Sequence, residues 1–570
     1  MNKNKITQLK KLIRINSLDG YVVPKNDAYF SEYSYPDRLK TLTNFSGSAG
    51  FAVILKKENY LFVDGRYTIQ AQIQSGKNFK VLEVPRFSTK HILKKRKKKL
   101  LLGFDPQLFT SLSLKRKFAN NFNLLPIDEN LVDKIYKEKS KKTTSSFYNL
   151  DHKISGESSN SKINRLIKIM KSKKIDNIFI SAAENIAWLL NIRGEDNPHS
   201  PIPNCKIILT NTKKIFFFSC PKKINIIKKH PDCKKIIFCT HQNFLKIING
   251  LKGNSFGIDS STCSVTNENI IKKLFDISNN IDPCYTLKSI KNKLEIKSMI
   301  AAHIEDGLAL TKFIYWIKNI NKKKITEVDA QNKLEKFRKL NKNYLFPSFN
   351  TIAGTGSNGA IIHYRATKKT TKTIKKNDIF LCDSGGQYKY GTTDVTRTIC
   401  FSNQKNSIKN IFTRVLKGHI AVVQTDLSHH RSGKQIDIRA RKFLKEVGLD
   451  YAHGTGHGVG FFLNVHEGPQ SISKYNSTPI DEGMILSNEP GFYKKGNFGI
   501  RIENLMYANK IKDKLVFENL TLAPIEKQLI NYNLLSEGEK DYLFRYHLKI
   551  YTTYSKFLNL NERKWLASLI

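Results

Sequence analysis

The chain has 570 residues, 40% hydrophobic and 11% aromatic, which is enough apolar content for globular folding and excludes wholesale disorder. Its formal net charge of +48 suggests a nucleic-acid partner, but the lysines are spread along the whole chain and few are grouped with aromatics. We therefore expect no specific nucleic-acid partner, only weak non-specific binding to polyanions at low salt.

The N-terminal segment predicts an amphipathic helix, because Ile6, Leu9, Leu12 and Ile13 recur at helical spacing. It has no unbroken apolar core of the secretory type, and no later run approaches the roughly 20 apolar residues that span a bilayer. The eight cysteines contain no CxxC pair, which is typical of free, mostly buried thiols in a reducing compartment. We expect a soluble cytoplasmic protein with no membrane partner.

Strand-like and helix-like segments then alternate in three blocks, which predicts an α/β (α+β) protein. The blocks cover residues 1–140, 155–288 and 289–570, and a polar stretch rich in Ser and Lys separates the first two. The densest basic run, Lys94–Lys99, lies in the first block. A solvated loop or helix end is its main interpretation, and a nucleic-acid or localisation patch is the alternative.

The third block opens with KLEIKSMIAAHIEDGLALTKFIYWI, whose apolar spacing predicts a long helix, and it holds most of the candidate reactive residues. Its acids stand beside apolar strand-like segments, at Asp383 and Asp394 on a predicted hairpin and at Glu489 and Glu503 further on. A buried unpaired carboxylate costs several kcal/mol, whereas several inward acids can share a cation. Together with a histidine they make an oxygen-rich set that suits a pair of divalent ions for hydrolysis.

Two other motifs point to competing chemistries. Asp383-Ser384-Gly385-Gly386 resembles the nucleophile loop of trypsin-like proteases, but Cys382 replaces the preceding glycine and no upstream His and Asp motif is recognisable. Residues 354–359 match GxGxxG, yet the following AIIHY is strand-like where a dinucleotide site needs a helix. Both readings are weaker than the metal site.

The motifs DSGGQYKYGTTDVTRT, HGTGHGVGFFLNVHEGP, SNEPGFY and GIRIEN occur in an order that resembles aminopeptidase P, the Xaa-Pro aminopeptidase branch of the two-metal "pita-bread" peptidases. NFSGSAG, NIAWLLNIRG and FENLTLAPIEKQLI extend the resemblance over nearly the whole chain. It implies two creatinase-like N-terminal domains, 1–140 and 155–288, before a pita-bread catalytic domain, 289–570. The last part of that domain, from about 510 to 570, would be a C-terminal extension.

The resemblance also implies a metal-binding set: Asp383 on one ion, Asp394 and Glu503 bridging both, and His457 and Glu489 completing the other. The ions would be two divalent metals, usually Mn²⁺, although the ligands alone do not exclude Co²⁺ or Zn²⁺.

By the same resemblance Glu489 would also act as general base, and His363 and His466 would contact substrate and stabilise the tetrahedral intermediate. His453 would line the pocket near the proline, and Arg501 would orient the bridging acids.

The reaction implied is release of an N-terminal residue when proline follows, by a homodimeric enzyme acting on peptides. Phe461, Phe462, Phe492 and Tyr493 either wall the proline site or pack in the core. A prolidase acting on Xaa-Pro dipeptides is the alternative activity, and a non-catalytic pita-bread binding module is the alternative class.

Overall fold

The structure is a computed structural model that describes residues 2–33, 35–93, 98–136, 145–320 and 325–570. The chain divides into two compact units, Met1–Tyr285 and Thr286–Ile570. Lys94–Lys97 of the basic run lie outside the described residues. In the part of the chain that is described, no helix combines the length and apolarity needed to cross a membrane.

The first unit begins with a mixed sheet. Its described strands are β1 (Gly20–Pro24), β2 (Phe51–Leu55), β3 (Asn59–Asp64), β4 (Lys80–Val84), β5 (Leu101–Phe104) and β6 (Asn123–Pro126). They lie in the order β4-β3-β2-β1-β5-β6. The helices around this sheet are α1 (Asn2–Ile15), α2 (Arg38–Thr43), α3 (Thr68–Ser75), α4 (Ser111–Phe118) and α5 (Leu131–Ile135).

Both faces of this sheet are covered. Tyr21 and Val23 of β1 pack with Ile6 and Leu9 of α1, so the predicted amphipathic helix is confirmed. Val22, which points to the other face, belongs to a second buried cluster. Alternate residues of one strand therefore serve two cores.

A second mixed sheet follows in the same unit. Its strands are β8 (Asn177–Ile180), β10 (Lys206–Thr210), β11 (Ile215–Phe218), β12 (Ile236–Cys239), β13 (Ser255–Ile258) and β14 (Asp276–Asn279), while β7 (Tyr148–Asn149) pairs with β9 (Ile192–Arg193) outside it. The helices of this part are α6 (His152–Ser155), α7 (Ser159–Ser172), α8 (Ala183–Leu189), α9 (Phe244–Asn249), α10 (Val265–Lys272) and α11 (Pro283–Ser289).

The two sheets share one topology. The second has the order β12-β11-β10-β8-β13-β14, which repeats the order of the first when its strands are numbered along the chain. In both sheets the first strand is antiparallel to the second and parallel to the fifth, and the outer pairs are parallel. The described residues of the first unit thus contain the same α/β arrangement twice.

The second unit is α+β. Its helices are α12 (Lys293–Asn319), α13 (Glu327–Lys339), α14 (Asn406–Val423), α15 (Gly433–Lys445), α16 (Glu537–Tyr554) and α17 (Leu560–Ala567). The predicted long helix is confirmed as α12, which begins at an Asn292–Glu295 capping box.

The strands of the second unit form short antiparallel sheets. They are β15 (Tyr344–Pro347), β16 (Ile352–Thr355), β17 (Ile379–Ser384), β18 (Gly386–Tyr388), β19 (Gly391–Thr392), β20 (Val395–Cys400), β21 (Gly456–Gly458), β22 (Glu467–Ile472), β23 (Ile485–Asn488), β24 (Gly491–Lys494), β25 (Phe498–Arg501), β26 (Asn504–Ile511) and β27 (Lys514–Asn519). The described sheets are β15-β18-β19, β16-β17-β20, β22-β21-β23-β26-β27 and β24-β25.

The predicted hairpin is present as β17 and β20, which place Asp383 opposite Thr396. Its end is more elaborate than a turn, because β18 and β19 pair with each other and β18 joins β15. Gly385 permits this branching, since a Cβ at that position would overlap the carbonyl oxygen of Thr393.

The strand expected at AIIHY is absent: residues 359–363 form turns and a bend after a 3₁₀ helix, Gly356–Asn358. Asn358 and Tyr364 donate hydrogen bonds to the buried carboxylate of Glu327, at 3.0 and 2.9 Å, so the segment folds around that group. A Cβ at Gly499 would overlap the Gly359 carbonyl, so two glycine backbones meet there. The GxGxxG motif thus serves backbone packing.

All eight cysteines are free, as expected. The buried ones are Cys205, Cys233, Cys263, Cys284, Cys382 and Cys400, whereas Cys220 is exposed. The buried thiols contribute to the cores, and none of the eight forms a cross-link.

Candidate metal centre

The five predicted ligands come from different elements of the second unit. Asp383 lies on β17 and Asp394 directly precedes β20, while His457 is in the middle of β21. Glu489 directly follows β23, and Glu503 stands between β25 and β26. Strands of different sheets, and residues directly beside those strands, therefore deliver these side chains.

Ligand atoms of Asp394, His457 and Glu503 lie within 4.8 Å of one another. His457 Nε2 is 3.5 Å from Asp394 Oδ2 and 3.7 Å from Glu489 Oε1. A single ion could contact all of these atoms after small side-chain adjustments, because metal–ligand distances are near 2 Å.

The His457 ring is oriented by its own backbone. Its Nδ1 lies 2.9 Å from the carbonyl oxygen of Gly458, and a carbonyl can only accept a hydrogen bond. In the neutral ring Nδ1 therefore carries the hydrogen, and Nε2 presents a lone pair to Asp394 and Glu489. This is the tautomer of a histidine that binds metal through Nε2.

Asp394 and Glu503 are buried close to other carboxylates, so ionising all of these groups without a cation is unfavourable. Asp394 is 5% exposed and Glu503 is 2% exposed. Burial raises the pKa of Asp394 well above its ordinary range, and the neighbouring charges of Asp383 and Glu489 raise it further. Burial also raises the pKa of Glu503, with Asp394 as the next cause. A cation at this position would allow both carboxylates to ionise.

Asp383 carries a further sign of an ion. Its Oδ2 accepts a hydrogen bond from Arg501 Nη2 at 2.5 Å. Its Oδ1 is buried and has no hydrogen-bond partner among the described residues. An orphaned carboxylate oxygen beside three convergent ligands fits a divalent metal.

Arg501 connects the carboxylates. Its Nε donates to Thr396 Oγ1 at 3.0 Å, and that hydroxyl donates to Glu503 Oε2 at 2.6 Å. Arg501 therefore contacts Asp383 directly and Glu503 through Thr396, which fixes the spacing of the two acids.

Tyr493 and His453 continue this network. Arg501 Nη1 donates to the Tyr493 hydroxyl oxygen at 2.7 Å, and the same hydroxyl lies 2.9 Å from His453 Nε2. His453 Nδ1 is 2.8 Å from the Gly454 carbonyl, so the neutral ring accepts from Tyr493 at Nε2. Burial raises the pKa of Tyr493 to about 12, so its hydroxyl remains a donor at neutral pH. His453 Nδ1 also lies 3.9 Å from Glu489 Oε2.

His466 is exposed and lies beside His457, with ring centroids 4.2 Å apart and ring planes tilted by 53°. The next residue, Glu467, is buried and pairs with Lys288 Nζ at 3.0 Å and with Lys291. That buried cluster fixes the backbone beside the exposed imidazole.

His363 is half-buried in the turn that Glu327 organises, between the buried Ile362 and Tyr364.

The aromatic candidates for the proline site have different surroundings. Phe461 and Phe462 are 3% and 1% exposed, whereas Phe492 packs against Phe498 with ring centroids 6.2 Å apart.

Ser384 has none of the surroundings of a nucleophile. It is fully buried and its hydroxyl accepts a hydrogen bond from Arg338 Nη2 at 3.0 Å. Arginine stays protonated and cannot serve as general base, so the protease-like motif is a structural contact.

Sequence reasoning missed Thr396 and the polar role of Tyr493. The signal was present in DVTRT, since the period of two in a strand puts Thr396 on the same face as Asp394. For Tyr493 only the aromatic ring was considered, and its hydroxyl proves to be the link between Arg501 and His453.

Four family models cover most of the chain. Residues 297–510 match metallopeptidase family M24, and residues 513–569 match the C-terminal region of that peptidase. Residues 5–135 and 138–295 both match the creatinase/prolidase N-terminal domain, in keeping with the repeated sheet topology.

Known proteins resemble the chain from end to end. A protein of Laccaria bicolor named "Probable Xaa-Pro aminopeptidase P" is 37% identical, over 99% of this chain and 92% of its own length. The structure of an X-prolyl aminopeptidase from Caenorhabditis elegans, described as a cytosolic enzyme with a di-nuclear active site, superposes with a TM-score of 0.92 at 29% identity. It covers 100% of this chain and 99% of that one. A prolidase from Pyrococcus furiosus gives a TM-score of 0.51 at 27% identity and covers 62% of this chain and 98% of its own.

Proposed function

Because the chain belongs to metallopeptidase family M24, we propose that it is a metal-dependent aminopeptidase that hydrolyses the bond between an N-terminal residue and a following proline. Membership in the family confirms the resemblance seen in the motifs, and with it the α/β fold in which two creatinase-type domains precede the catalytic region.

The observation that carries this proposal is the end-to-end likeness to the X-prolyl aminopeptidase, with a TM-score of 0.92 over 100% of this chain. The prolidase matches only 62% of the chain, so it leaves a large part of these residues unaccounted for. The aminopeptidase is therefore favoured over the prolidase.

The metal ligands of the proposed enzyme are Asp383, Asp394, His457, Glu489 and Glu503, holding two divalent ions. Bound ions would supply Lewis acidity that makes water a nucleophile at neutral pH and polarises the scissile carbonyl. Four carboxylates and one imidazole suit Mn²⁺, and Co²⁺ or Zn²⁺ fit the same set.

The chain's own groups then handle protons and substrate. Glu489, half-buried between His457 and His453, is the proposed general base. His363 and His466 are proposed to hold the substrate carbonyl and stabilise the charge that develops on it. Arg501 is proposed to orient Asp383 directly and the bridging Glu503 through Thr396, and His453 is proposed to line the proline side.

The remaining assignments are proposals on the same basis. The domains are residues 1–140, 155–288 and 289–570 with an extension from about 510, and the protein is a cytoplasmic homodimer. It has no specific nucleic-acid or membrane partner.

The test compares an Xaa-Pro-Xaa tripeptide with the Xaa-Pro dipeptide, using protein stripped with a chelator and then supplied with Mn²⁺. We expect cleavage of the tripeptide before proline only after Mn²⁺ is added. Asp394→Asn is expected to lower turnover by at least about 10²-fold, since it removes a shared ligand charge.

Other outcomes would replace the proposal. Cleavage restricted to dipeptides would make the protein a prolidase. Failure of the wild type to bind divalent metal, or unchanged turnover in Asp394→Asn, would make it a non-catalytic binding module.

A further inference from the structure

Arg397 lies on β20 directly after Thr396, whose hydroxyl donates to Glu503, and it is 1% exposed. Its guanidinium donates to backbone or side-chain oxygens on every side, and each of its N–H groups has an acceptor. The acceptors are the carbonyls of Thr396, Glu503, Ala523 and Pro524, Asn504 Oδ1 and the Tyr546 hydroxyl.

One side of the guanidinium holds the strands that carry two proposed bridging ligands. Nη1 donates to the carbonyl of Thr396 at 2.8 Å and to that of Glu503 at 2.6 Å. Asp394 stands two residues before Thr396. A single planar group therefore sets the separation of the backbones that carry Asp394 and Glu503.

The other side reaches the C-terminal segment. Nη2 donates to the Ala523 carbonyl at 2.8 Å and to the Tyr546 hydroxyl at 3.1 Å. Tyr546 is on α16, and its hydroxyl also lies 3.1 Å from the Thr521 carbonyl and accepts from the Ala523 N–H at 3.2 Å. The helix thus closes the ring of acceptors around Arg397.

We propose that Arg397 is a positioning residue of the metal centre, and that α16, acting through Tyr546, contributes to metal affinity. This rests on the proposed function in taking Asp394 and Glu503 as metal ligands. A lysine could not replace Arg397, because one ammonium cannot span acceptors on three segments in a plane.

The experiment measures Mn²⁺ binding by calorimetry on chelator-stripped, full-length protein, with peptide turnover measured on the same samples. Tyr546→Phe removes only the hydroxyl beside Arg397. Its matched control is Tyr554→Phe on the same helix, whose hydroxyl donates to the Leu522 carbonyl at 3.0 Å and is not an acceptor for Arg397.

We expect Tyr546→Phe to weaken Mn²⁺ binding about tenfold and Arg397→Lys about 10- to 100-fold, the range for groups that orient metal ligands. The kcat at limiting Mn²⁺ should fall in both and recover at excess Mn²⁺, with KM unchanged. Tyr554→Phe should bind Mn²⁺ like the wild type, even if it lowers thermal stability as much as Tyr546→Phe does.

Equal Mn²⁺ affinity in Tyr546→Phe and Tyr554→Phe would overturn the proposal, as would wild-type affinity in Arg397→Lys. If Arg397→Lys does not fold, the two tyrosine variants decide. A wild type that binds Mn²⁺ but cleaves no Xaa-Pro peptide would contradict the proposed function. The comparison of Mn²⁺ affinities would still test the positioning role of Arg397.

Discussion

Neighbouring side chains on β17 meet different arginines, because successive residues of a strand point to opposite faces. Asp383 faces Arg501 and the proposed metal centre, whereas Ser384 faces Arg338, which is also paired with Asp306 at 2.7 Å. The same four-residue motif therefore contributes one side chain to the proposed metal centre and one to the core.

Ser384→Ala should leave kcat near the wild-type value and lower the free energy of unfolding by about 1.5–3 kcal/mol, because a buried charged donor loses an acceptor. Turnover and chemical denaturation on one preparation would check this. Loss of turnover in a variant that is folded and loaded with Mn²⁺ would mean that Ser384 has a catalytic role.

Thr396→Val removes the hydroxyl that joins Arg501 to Glu503 while keeping the shape of the side chain. We expect Mn²⁺ affinity to fall about tenfold or more, because the ligand carboxylate loses its orienting donor. Thr398→Val is the control, since the Thr398 hydroxyl bonds to the Arg501 backbone and not to an acid. The prediction is wrong if both variants bind Mn²⁺ with the same affinity.

Elements whose pattern is local were predictable from the sequence. The spacing of Ile6, Leu9 and Ile13 is sufficient for α1, and the apolar run after the Asn292 cap is sufficient for α12. The segment after Gly359 was not predictable, because its conformation depends on Glu327, a residue distant in sequence whose carboxylate accepts from the Tyr364 hydroxyl and the Lys372 N–H.

The residues of the proposed metal centre likewise fall into those that the sequence motifs identify and those that they do not. Motif order was enough to nominate Asp383, Asp394, His457, Glu489 and Glu503. The roles of Thr396 and Arg397 depend on partners more than a hundred residues away, such as Tyr546, and no local pattern identifies those partners.

Glu327→Ala should release the segment 355–372. The carboxylate accepts from the N–H groups of Thr355 and Lys372 at 2.8 and 2.9 Å, as well as from side chains, and orphaned buried donors cost about 1–3 kcal/mol each. We expect the free energy of unfolding to fall by at least about 3 kcal/mol, and hydrogen exchange at both amides to become faster.

Asp329→Ala is the matched control, since Asp329 caps the same helix through Thr326. This variant should lower the free energy of unfolding by about 1 kcal/mol and leave hydrogen exchange at the Lys372 amide unchanged. Equal exchange in the two variants would contradict the role given to Glu327.

On the scale of the whole molecule, the first unit repeats one sheet topology and the second unit contains the proposed metal centre. The repeat is invisible as sequence periodicity, because a topology constrains which positions are apolar and not which apolar residue occupies them. The buried clusters of the two sheets contain different residues, with Val22 on β1 of the first and Phe179 on the corresponding β8 of the second.

Metal removal should destabilise the second unit, and more so as pH rises. Burial raises the pKa of Asp394 and Glu503 in the metal-free fold, so their protonated forms are favoured there relative to the unfolded chain. The contribution of these two carboxyl groups to metal-free stability is therefore fully present below their ordinary pKa of about 4 and is lost as pH rises through the raised folded values.

Thermal unfolding with Mn²⁺ and after chelation, between pH 5 and pH 8, would check this. The gap in Tm should widen with pH, because protons compete with the metal at the acidic end. A gap that is constant or narrows toward pH 8 would contradict it.

The spread of the centre along the chain has a consequence for biosynthesis. Its proposed ligands run from Asp383 to Glu503, and the hydroxyl that completes the surroundings of Arg397 belongs to Tyr546. Domains made early can fold during translation, but this centre cannot be completed until α16, which carries Tyr546, has emerged. The N-terminal unit can therefore fold first, and metal would bind only after α16 has been made.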